Sequence, residues 1–220
     1  MNEPPGSPAF TIGAIEPSHR SRIAEILRST ENFRDEEVDV ALEVFDAAFG
    51  GDDYVIVGAF AELGTRDWGL GRGREQGTGN SDSSGQHGSQ FPVPGSRQPP
   101  IPDSRFPIPD LVGFAIYGPT MGTDRTYDLY WIAVDRSAQG TGCGSVLLSE
   151  VERRLEALHA RMLVIETSSR SDYAATRTFY LRRGYVEAAR IREFYARQDD
   201  RIILTKRLAG SPREGWGAVA

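Results

Sequence analysis

A glycine-rich turn at residues 139–144, with the sequence QGTGCG, is the feature that most limits how this chain can fold. It follows an apolar strand that ends at Val134 and leads into the strongest amphipathic helix of the chain, predicted over 146–158. Glycines allow positive φ angles and leave no side chain in the way, so several N–H groups can converge at the positive end of the helix. This geometry predicts an anion site, and the expected ligand is a phosphate group, most simply a diphosphate.

The rest of the sequence predicts one α/β unit around this turn. Strands are predicted at 10–15, 54–60, 111–117, 127–134, 162–167, 185–194 and 201–206. Helix-start signals occur at Glu16, Asp35 and Ser171. The apolar run at 162–167 is typical of an interior strand. The order of elements therefore predicts a mixed sheet flanked by helices.

Residues 69–109 stand apart in composition, because they are rich first in glycine and serine and then in proline. Such a segment cannot bury enough apolar surface to offset the entropy of ordering it, which predicts a disordered insertion. Both flanks are predicted strands, so the insertion should split a hairpin within a single domain of residues 1–68 and 110–208. A flexible tail is expected at 209–220. A polyproline ligand for an aromatic groove is the alternative interpretation of the proline-rich half.

The composition narrows the classes of partner. A formal net charge of −6 disfavours a nucleic-acid binder, because an acidic surface repels phosphates over long range. No apolar stretch approaches the roughly 20 residues of a membrane helix, and the first residues predict no secretory signal. The single cysteine, Cys143, excludes an internal disulfide and a thiolate-rich zinc site, and the scattered histidines predict no metal site. These observations favour the cytoplasm and leave a homodimer open.

The glycine turn does not fit the two best-known phosphate-binding motifs. A nucleotide P-loop requires a lysine that the turn lacks, and a dinucleotide fingerprint fails because Ser145 or Leu147 stands in place of its last glycine. The pattern Gln/Arg-x-x-Gly-x-Gly does fit, through Gln139, Gly142 and Gly144. This pattern resembles the acyl-CoA pyrophosphate loop of the GNAT superfamily of N-acetyltransferases. A plain strand-to-helix turn is the alternative.

A second motif strengthens the resemblance. In the superfamily a helix that ends in Phe-Tyr leads through a Gly-aromatic step into the next strand, and here Phe179-Tyr180 precedes Gly184-Tyr185. The resemblance covers the chain outside the insertion, the first residues and the tail. It implies a GNAT-like α/β fold whose central sheet is mostly antiparallel. It also implies direct transfer of acetyl from acetyl-CoA to a primary amine in a ternary complex, with a small molecule or a peptide as acceptor.

The resemblance further assigns residues to cofactor binding. The strand end at Ile132, Ala133 and Val134 would splay from the strand at 162–167 and pair with the pantetheine arm, and a main-chain N–H would polarise the thioester carbonyl. The pyrophosphate would be held by the turn residues Gln139, Gly140, Thr141, Gly142, Cys143 and Gly144. Tyr173 stands where many members have an asparagine, and either its hydroxyl would hydrogen-bond to the cofactor or its ring would stack.

Tyr180 and Glu166 are candidates for acid–base chemistry. By the resemblance, Tyr180 would protonate the leaving thiolate, although Phe-Tyr pairs at helix ends also occur as core packing. Glu166, in an otherwise apolar strand, is a candidate base for the amine. Binding of a substrate ammonium, or pairing with an arginine such as Arg170, is the alternative for this carboxylate.

Asp128 is a second candidate base. It lies six residues before Val134, and strand alternation places it on the same face as Tyr130, Ile132 and Val134. A surface acid at the strand edge is the alternative. Together with Tyr130 and Trp131 as substrate-binding residues, the two carboxylates suggest a cationic acceptor with an apolar body.

The acceptor pocket is expected between the two N-terminal helices, their connecting loop at 30–34 and the last strand pair. Cys143 lies at a helix N-terminus, which could lower the pKa of its thiol, but an acyl-cysteine mechanism is not favoured. Two other function classes stay open. One is a non-catalytic acyl-CoA sensor on the same scaffold, and the other is an interaction module that recruits a partner through the proline-rich segment.

Overall fold

The computed structural model describes residues 10–51, 54–61 and 110–209, and these residues form seven strands and four α-helices. The strands are β1 (Phe10–Ala14), β2 (Val55–Ala61), β3 (Asp110–Pro119), β4 (Thr126–Val134), β5 (Met162–Ser168), β6 (Val186–Ala196) and β7 (Asp199–Arg207). The helices are α1 (Arg20–Ser29), α2 (Asp35–Ala47), α3 (Cys143–Ala157) and α4 (Ala174–Leu181). Short 3-10 turns precede α1, α3 and α4, at Pro17–His19, Arg136–Ala138 and Ser171–Tyr173.

The strands form one sheet in the order β1-β2-β3-β4-β5-β7-β6. Only the central pair β4–β5 is parallel among the described strands, and every other neighbouring pair is antiparallel. The prediction of a mixed, mostly antiparallel sheet flanked by helices is therefore confirmed. β5 lies between β4 and β7, which also confirms that this apolar strand is interior to the sheet.

Helices cover both faces of the sheet and create two cores. One core lies under α3 and α4 and includes Leu147, Val151 and Tyr180. The other lies under α1 and α2 and includes Ile23 and Phe45. β3 runs between the two cores, and eight of its ten residues are buried, as expected for a strand that is covered on both faces.

Two helix boundaries differ from the prediction. α3 begins at Cys143 instead of residue 146, because Cys143 and Leu147 are one helical turn apart and both are buried in the same core. α4 begins at Ala174, and its N-cap is Tyr173 instead of Ser171, since residues 171–173 form a 3-10 turn. Both helices lead away from the central strands, so these boundaries set the position of the site described below.

The strands that flank the predicted insertion are neighbours in the sheet. β2 pairs with β3 in antiparallel register, and Ala61 lies opposite Asp110. The strands before and after the predicted insertion therefore pair with each other, as a split hairpin requires. The predicted insertion itself and the tail beyond Ala209 lie outside the described residues. None of the helices within the described ranges is long and apolar enough to cross a membrane.

Candidate functional site

The two parallel central strands separate halfway along their length. β4 pairs with β5 only from Thr126 to Leu129, opposite Met162 to Ile165. Beyond these pairs, the ends of the two strands line a cleft with a volume of about 1020 Å³. The strand ends therefore splay as the resemblance implied. All predicted site residues except Asp128 and Thr141 line this cleft.

A β-bulge interrupts β4 where the strands begin to separate. Trp131 pairs with Ile116 and Leu129 pairs with Tyr117, so Tyr130 is the extra residue of the bulge. A bulge of this kind shifts the alternation of side chains by one residue. It places Tyr130 and Trp131, the two predicted substrate-binding residues, in succession along the wall of the cleft.

The bulge corrects the predicted orientation of Asp128. Leu129 packs in the core under α3, and beyond the bulge this face is taken by Ile132 and Val134. Asp128 and these two residues therefore lie on opposite faces, and the expectation of a shared face is wrong because it assumed unbroken alternation. The Asp128 carboxylate accepts a hydrogen bond of 2.7 Å from Thr120 Oγ1, and Asp128 is not among the described residues that line the cleft.

The glycine turn presents main-chain N–H groups to the cleft. Gly140 and Gly142 have φ angles of 77° and 95°. The backbone of a residue with a side chain would be strained at these angles. Among the described residues, the N–H groups from Gly140 to Gly144 donate to no acceptor, whereas the next one, of Ser145, bonds to the Gly142 carbonyl at 2.9 Å. Five consecutive donors without an acceptor, at the positive end of α3, are what the predicted anion site would require.

The side chains of the turn hydrogen-bond to the protein's own main chain or are buried. Gln139 Nε2 donates to the Val134 carbonyl at 3.1 Å, and Thr141 Oγ1 donates to the Ala138 carbonyl at 2.5 Å. Cys143 is buried, and burial raises the pKa of its thiol to about 12. The expected lowering of this pKa is wrong, because desolvation outweighs the helix N-terminus. The backbone of the turn, more than its side chains, is what a ligand would meet.

Three arginines that the sequence analysis did not single out also line the cleft, namely Arg136, Arg182 and Arg183. The Arg183 guanidinium lies 3.7 Å from the centre of the Phe179 ring. It donates to the Phe179 carbonyl at 2.9 Å and to Ser145 Oγ, within the first turn of α3. These positions put positive charge beside the free N–H groups. The Arg-Arg pair directly before Gly184 was the available signal in the sequence.

Tyr180 is packed into the core and also lines the cleft. Only 3% of its surface is exposed, and its ring contacts those of Phe179 and Tyr185 at centroid distances of 5.1 and 5.5 Å. Burial raises the pKa of its hydroxyl above the ordinary value of 10.0. Tyr180 therefore stays protonated at neutral pH, as a proton donor must.

Tyr173 connects the start of α4 to the loop between α1 and α2. Its hydroxyl donates a hydrogen bond of 3.1 Å to the Asn32 carbonyl, and burial raises its pKa to about 12. On the other side of the cleft, Glu31 in the same loop forms an ion pair of 2.6 Å with Arg136. We call residues 30–34 the strap, because they are fixed to the segments that follow both splayed strands.

Glu166 is held by two partners at the end of the cleft. Tyr195 donates a hydrogen bond to Oε1, and the Arg201 guanidinium pairs with Oε2. Arg170, the arginine named in the sequence analysis, pairs with Asp172 instead. The Arg201 guanidinium also lies 4.9 Å from the centre of the Phe194 ring.

Residues Phe194 and Tyr195 reach Glu166 through an irregularity of β6. The register between β6 and β7 shifts between Ile191 and Ala196, and Glu193 within this stretch has a φ of 50°. Its N–H donates to Asp200 Oδ1 at 3.0 Å instead of to a ladder carbonyl. The strand pattern of this segment gave no sign of the shift, so the sequence analysis missed these residues.

The chain is thus an α/β protein whose sheet opens between two parallel strands, next to a helix that begins with N–H groups without acceptors. Such a helix end suits an anionic ligand. The model of the acetyltransferase (GNAT) domain matches residues 108–187, which include the glycine turn and Tyr180. No curated protein matches the chain. A solved protein from Desulfovibrio desulfuricans, assigned to the acetyltransferases of the GNAT family, shares 31% identity and a TM-score of 0.64, with 91% of this chain and 99% of that one covered. The chain therefore belongs to the GNAT acetyltransferase family.

More distant solved structures share the fold. The ribosomal-protein-S18-alanine N-acetyltransferase from Escherichia coli has 18% identity and a TM-score of 0.60, with 94% of this chain and 99% of that chain covered. The protein yncA from Salmonella typhimurium, solved with its cofactor acetyl-CoA, has 16% identity and a TM-score of 0.56, with 94% and 99% covered. These likenesses extend over almost the whole length of each relative.

Proposed function

We propose that this protein is an N-acetyltransferase that moves the acetyl group of acetyl-CoA directly to a primary amine in a ternary complex. The observation that carries the proposal is the row of five free N–H groups from Gly140 to Gly144, at the mouth of the cleft between β4 and β5. A diphosphate has the charge and the acceptor atoms that such a row binds. Arg182 and Arg183 add fixed positive charge for the phosphates at the same end.

The splayed strands suit the rest of the donor. The end of β4 at Ile132, Ala133 and Val134 has left the β5 ladder. Apart from the Val134 carbonyl, which accepts from Gln139 Nε2, its main-chain groups on that side are available to the amide groups of a pantetheine arm. A main-chain N–H in this segment would stabilise the oxyanion that forms on the thioester carbonyl. The acetyl group would then lie between the two strands, beside Tyr180.

Glu166 and Tyr180 are proposed to handle the protons. Glu166 takes a proton from the acceptor ammonium, directly or through water, and the neutral amine attacks the thioester carbon. As the carbon–sulfur bond breaks, Tyr180 gives its proton to the departing thiolate. The nitrogen of the new amide then loses its extra proton, which restores the Tyr180 hydroxyl, and Glu166 releases its proton to solvent. We prefer Glu166 to Asp128 as the base because Glu166 lines the cleft, whereas the Asp128 carboxylate is bonded to Thr120.

The acceptor is proposed to enter from the side of the strap, where Phe33, Tyr130 and Trp131 line the cleft. The Tyr54 ring supports Tyr130 at a centroid distance of 5.2 Å. The acceptor is a small molecule or a peptide; the Escherichia coli relative, by its name, acts on an alanine of a ribosomal protein. The cytoplasm as the place of action, and a homodimer as an open alternative, stay predictions from the sequence.

A non-catalytic acyl-CoA sensor is the second candidate. Arg201 and Tyr195 both bind the Glu166 carboxylate. This favours the sensor, since a base must release its partners to accept a proton. The interaction module depended on residues 69–109, which lie outside the described residues.

Calorimetry with acetyl-CoA tests the donor site, and release of free thiol in the presence of amines tests the transfer. Gly142→Ala introduces a side chain at a φ of 95° and should weaken binding of acetyl-CoA about tenfold, because the amides of the turn must tilt. Gly122→Ala is the matched control, since Gly122 has a φ of 72° in a turn that does not line the cleft. Absence of binding to the unmodified protein, or equal loss in both variants, would contradict the proposal. Binding without thiol release would favour the sensor.

A further inference from the structure

Every carboxylate among the described residues that line the cleft is paired with an arginine. These carboxylates belong to Glu31, Glu166 and Asp172. Glu31 pairs with Arg136 at 2.6 Å, Glu166 pairs with Arg201, and Asp172 pairs with Arg170. The acidic residues of the cleft therefore present neutral pairs to a ligand, although the whole chain carries a net charge of −6.

The remaining charges at the cleft are positive. Arg182 and Arg183 line it without an ion pair to any carboxylate in the described part of the chain. Arg183 lies beside α3, because it donates to Ser145 Oγ, and Arg182 directly precedes it in the chain. The donor phosphates would take up their charge. The strap side is left with the neutral pairs and with the aromatic side chains of Phe33, Tyr130 and Trp131.

This charge pattern selects among amines. One ammonium group can approach Glu166 and give up its proton there. A second ammonium on the same acceptor would lose water in the cleft without gaining a free carboxylate. The aromatic side chains that line the cleft instead suit an acceptor with an apolar body.

We infer that the acceptor is an amine with a single positive charge on an apolar body, and that polycations such as polyamines and aminoglycosides are poor acceptors. This inference rests on the proposed acetyltransferase function and names its substrate class. It narrows the cationic acceptor with an apolar body that the sequence suggested to one with a single positive charge, because the arginine partners of Glu31, Glu166 and Asp172 could not be assigned from the sequence.

Three amines of equal chain length test the inference: hexylamine, 6-aminohexan-1-ol and 1,6-diaminohexane. The last two both end in a polar group and differ in the second charge. We expect kcat/KM for 6-aminohexan-1-ol to exceed that for 1,6-diaminohexane about tenfold, and hexylamine to be at least as good as 6-aminohexan-1-ol. Equal or better transfer to the diamine would overturn the inference.

The variant Arg201→Gln tests the cause. It removes the cation that neutralises Glu166 and should raise the ratio of diamine to amino-alcohol kcat/KM about fivefold. Arg201→Lys keeps the charge and should keep the original ratio, and Arg207→Gln removes an exposed charge of β7 that does not line the cleft. Because the readout is a ratio within one protein, partial loss of folded enzyme does not change it. An unchanged ratio in Arg201→Gln, or an equal change in Arg207→Gln, would overturn the inference.

The outcomes separate this inference from the proposed function. Failure of the protein to bind acetyl-CoA counts against both. Transfer that favours the diamine counts only against the inference. If acetyl-CoA binds and no amine is acetylated, NMR line broadening of the same three amines with the CoA-loaded protein decides: weaker binding of the diamine supports the inference, and equal binding or no binding of hexylamine overturns it.

Discussion

The Tyr173 hydroxyl donates a hydrogen bond of 3.1 Å to the main-chain carbonyl of Asn32. The two residues are far apart in the sequence, and they join the start of α4 to the strap. A side chain as short as asparagine, which many GNAT proteins have at this position, would be several ångströms shorter than tyrosine. Tyr173 therefore contacts the strap, which is the proposed acceptor side of the cleft.

Tyr173→Phe should therefore raise the KM of the acceptor and leave the affinity for acetyl-CoA unchanged. Loss of one neutral hydrogen bond costs about 1 kcal/mol, which corresponds to about a fivefold rise in the acceptor KM. Initial-rate kinetics with varied acceptor, and calorimetry with acetyl-CoA, separate the two. A weaker affinity for acetyl-CoA with an unchanged acceptor KM would instead make Tyr173 a cofactor contact.

Tyr180→Phe should lower kcat roughly 100-fold, because the proton donor to the thiolate is lost, while the affinity for acetyl-CoA stays the same. Since burial raises the pKa of Tyr180, the unmodified enzyme should not lose activity through this group below pH 10. Tyr127→Phe is a suitable control, because Tyr127 packs against the same core and does not line the cleft. Equal rates in Tyr180→Phe and Tyr127→Phe would exclude Tyr180 as the acid.

Cys143 should be inert in the folded protein. With a pKa of about 12, only about 10⁻⁴ of the thiol is ionised at pH 8. Iodoacetamide should add no mass to the native protein within an hour and should alkylate Cys143 fully in denaturant. Cys143→Ala should retain kcat within about twofold, since no step passes through the thiol; rapid native alkylation would mean that the turn opens.

Acid should weaken α3 through Glu150. Its hydrogen bond with Arg153, aided by Arg154, lowers its pKa from 4.5 to about 2. A carboxyl group whose pKa is lowered in the folded state stabilises the fold at pH values above its unfolded-state pKa. This stabilisation is lost as the pH falls from about 4.5 to about 2. Glu150→Gln should therefore reduce Tm at pH 7, and the difference should vanish near pH 2.

Thermal unfolding between pH 7 and pH 2 measures this effect. Glu43→Gln is the control, because Glu43 is an exposed residue of α2. A constant difference between Glu150→Gln and the unmodified protein at all pH values would show that packing, and not ionisation, causes it.

The glycine turn and the helix that follows it were predictable, because φ requirements and helix periodicity act over a few residues. The bulge at Tyr130 was not, since every residue from Leu129 to Val134 is apolar or aromatic and either alternation would have fitted. The partners of Glu166 come from β6 and β7, and their identity depends on the register of those strands. The apolar surroundings of Cys143 likewise follow from tertiary packing, which decides its pKa.

The pairing of Ala61 with Asp110 has a practical consequence. Adjacent antiparallel strands are about 5 Å apart, so a two-residue Asn-Gly hairpin turn could connect these two ends directly and replace 62–109 without moving either strand. A shortened chain of about 170 residues, made in this way, would keep the pairing of β2 with β3 intact.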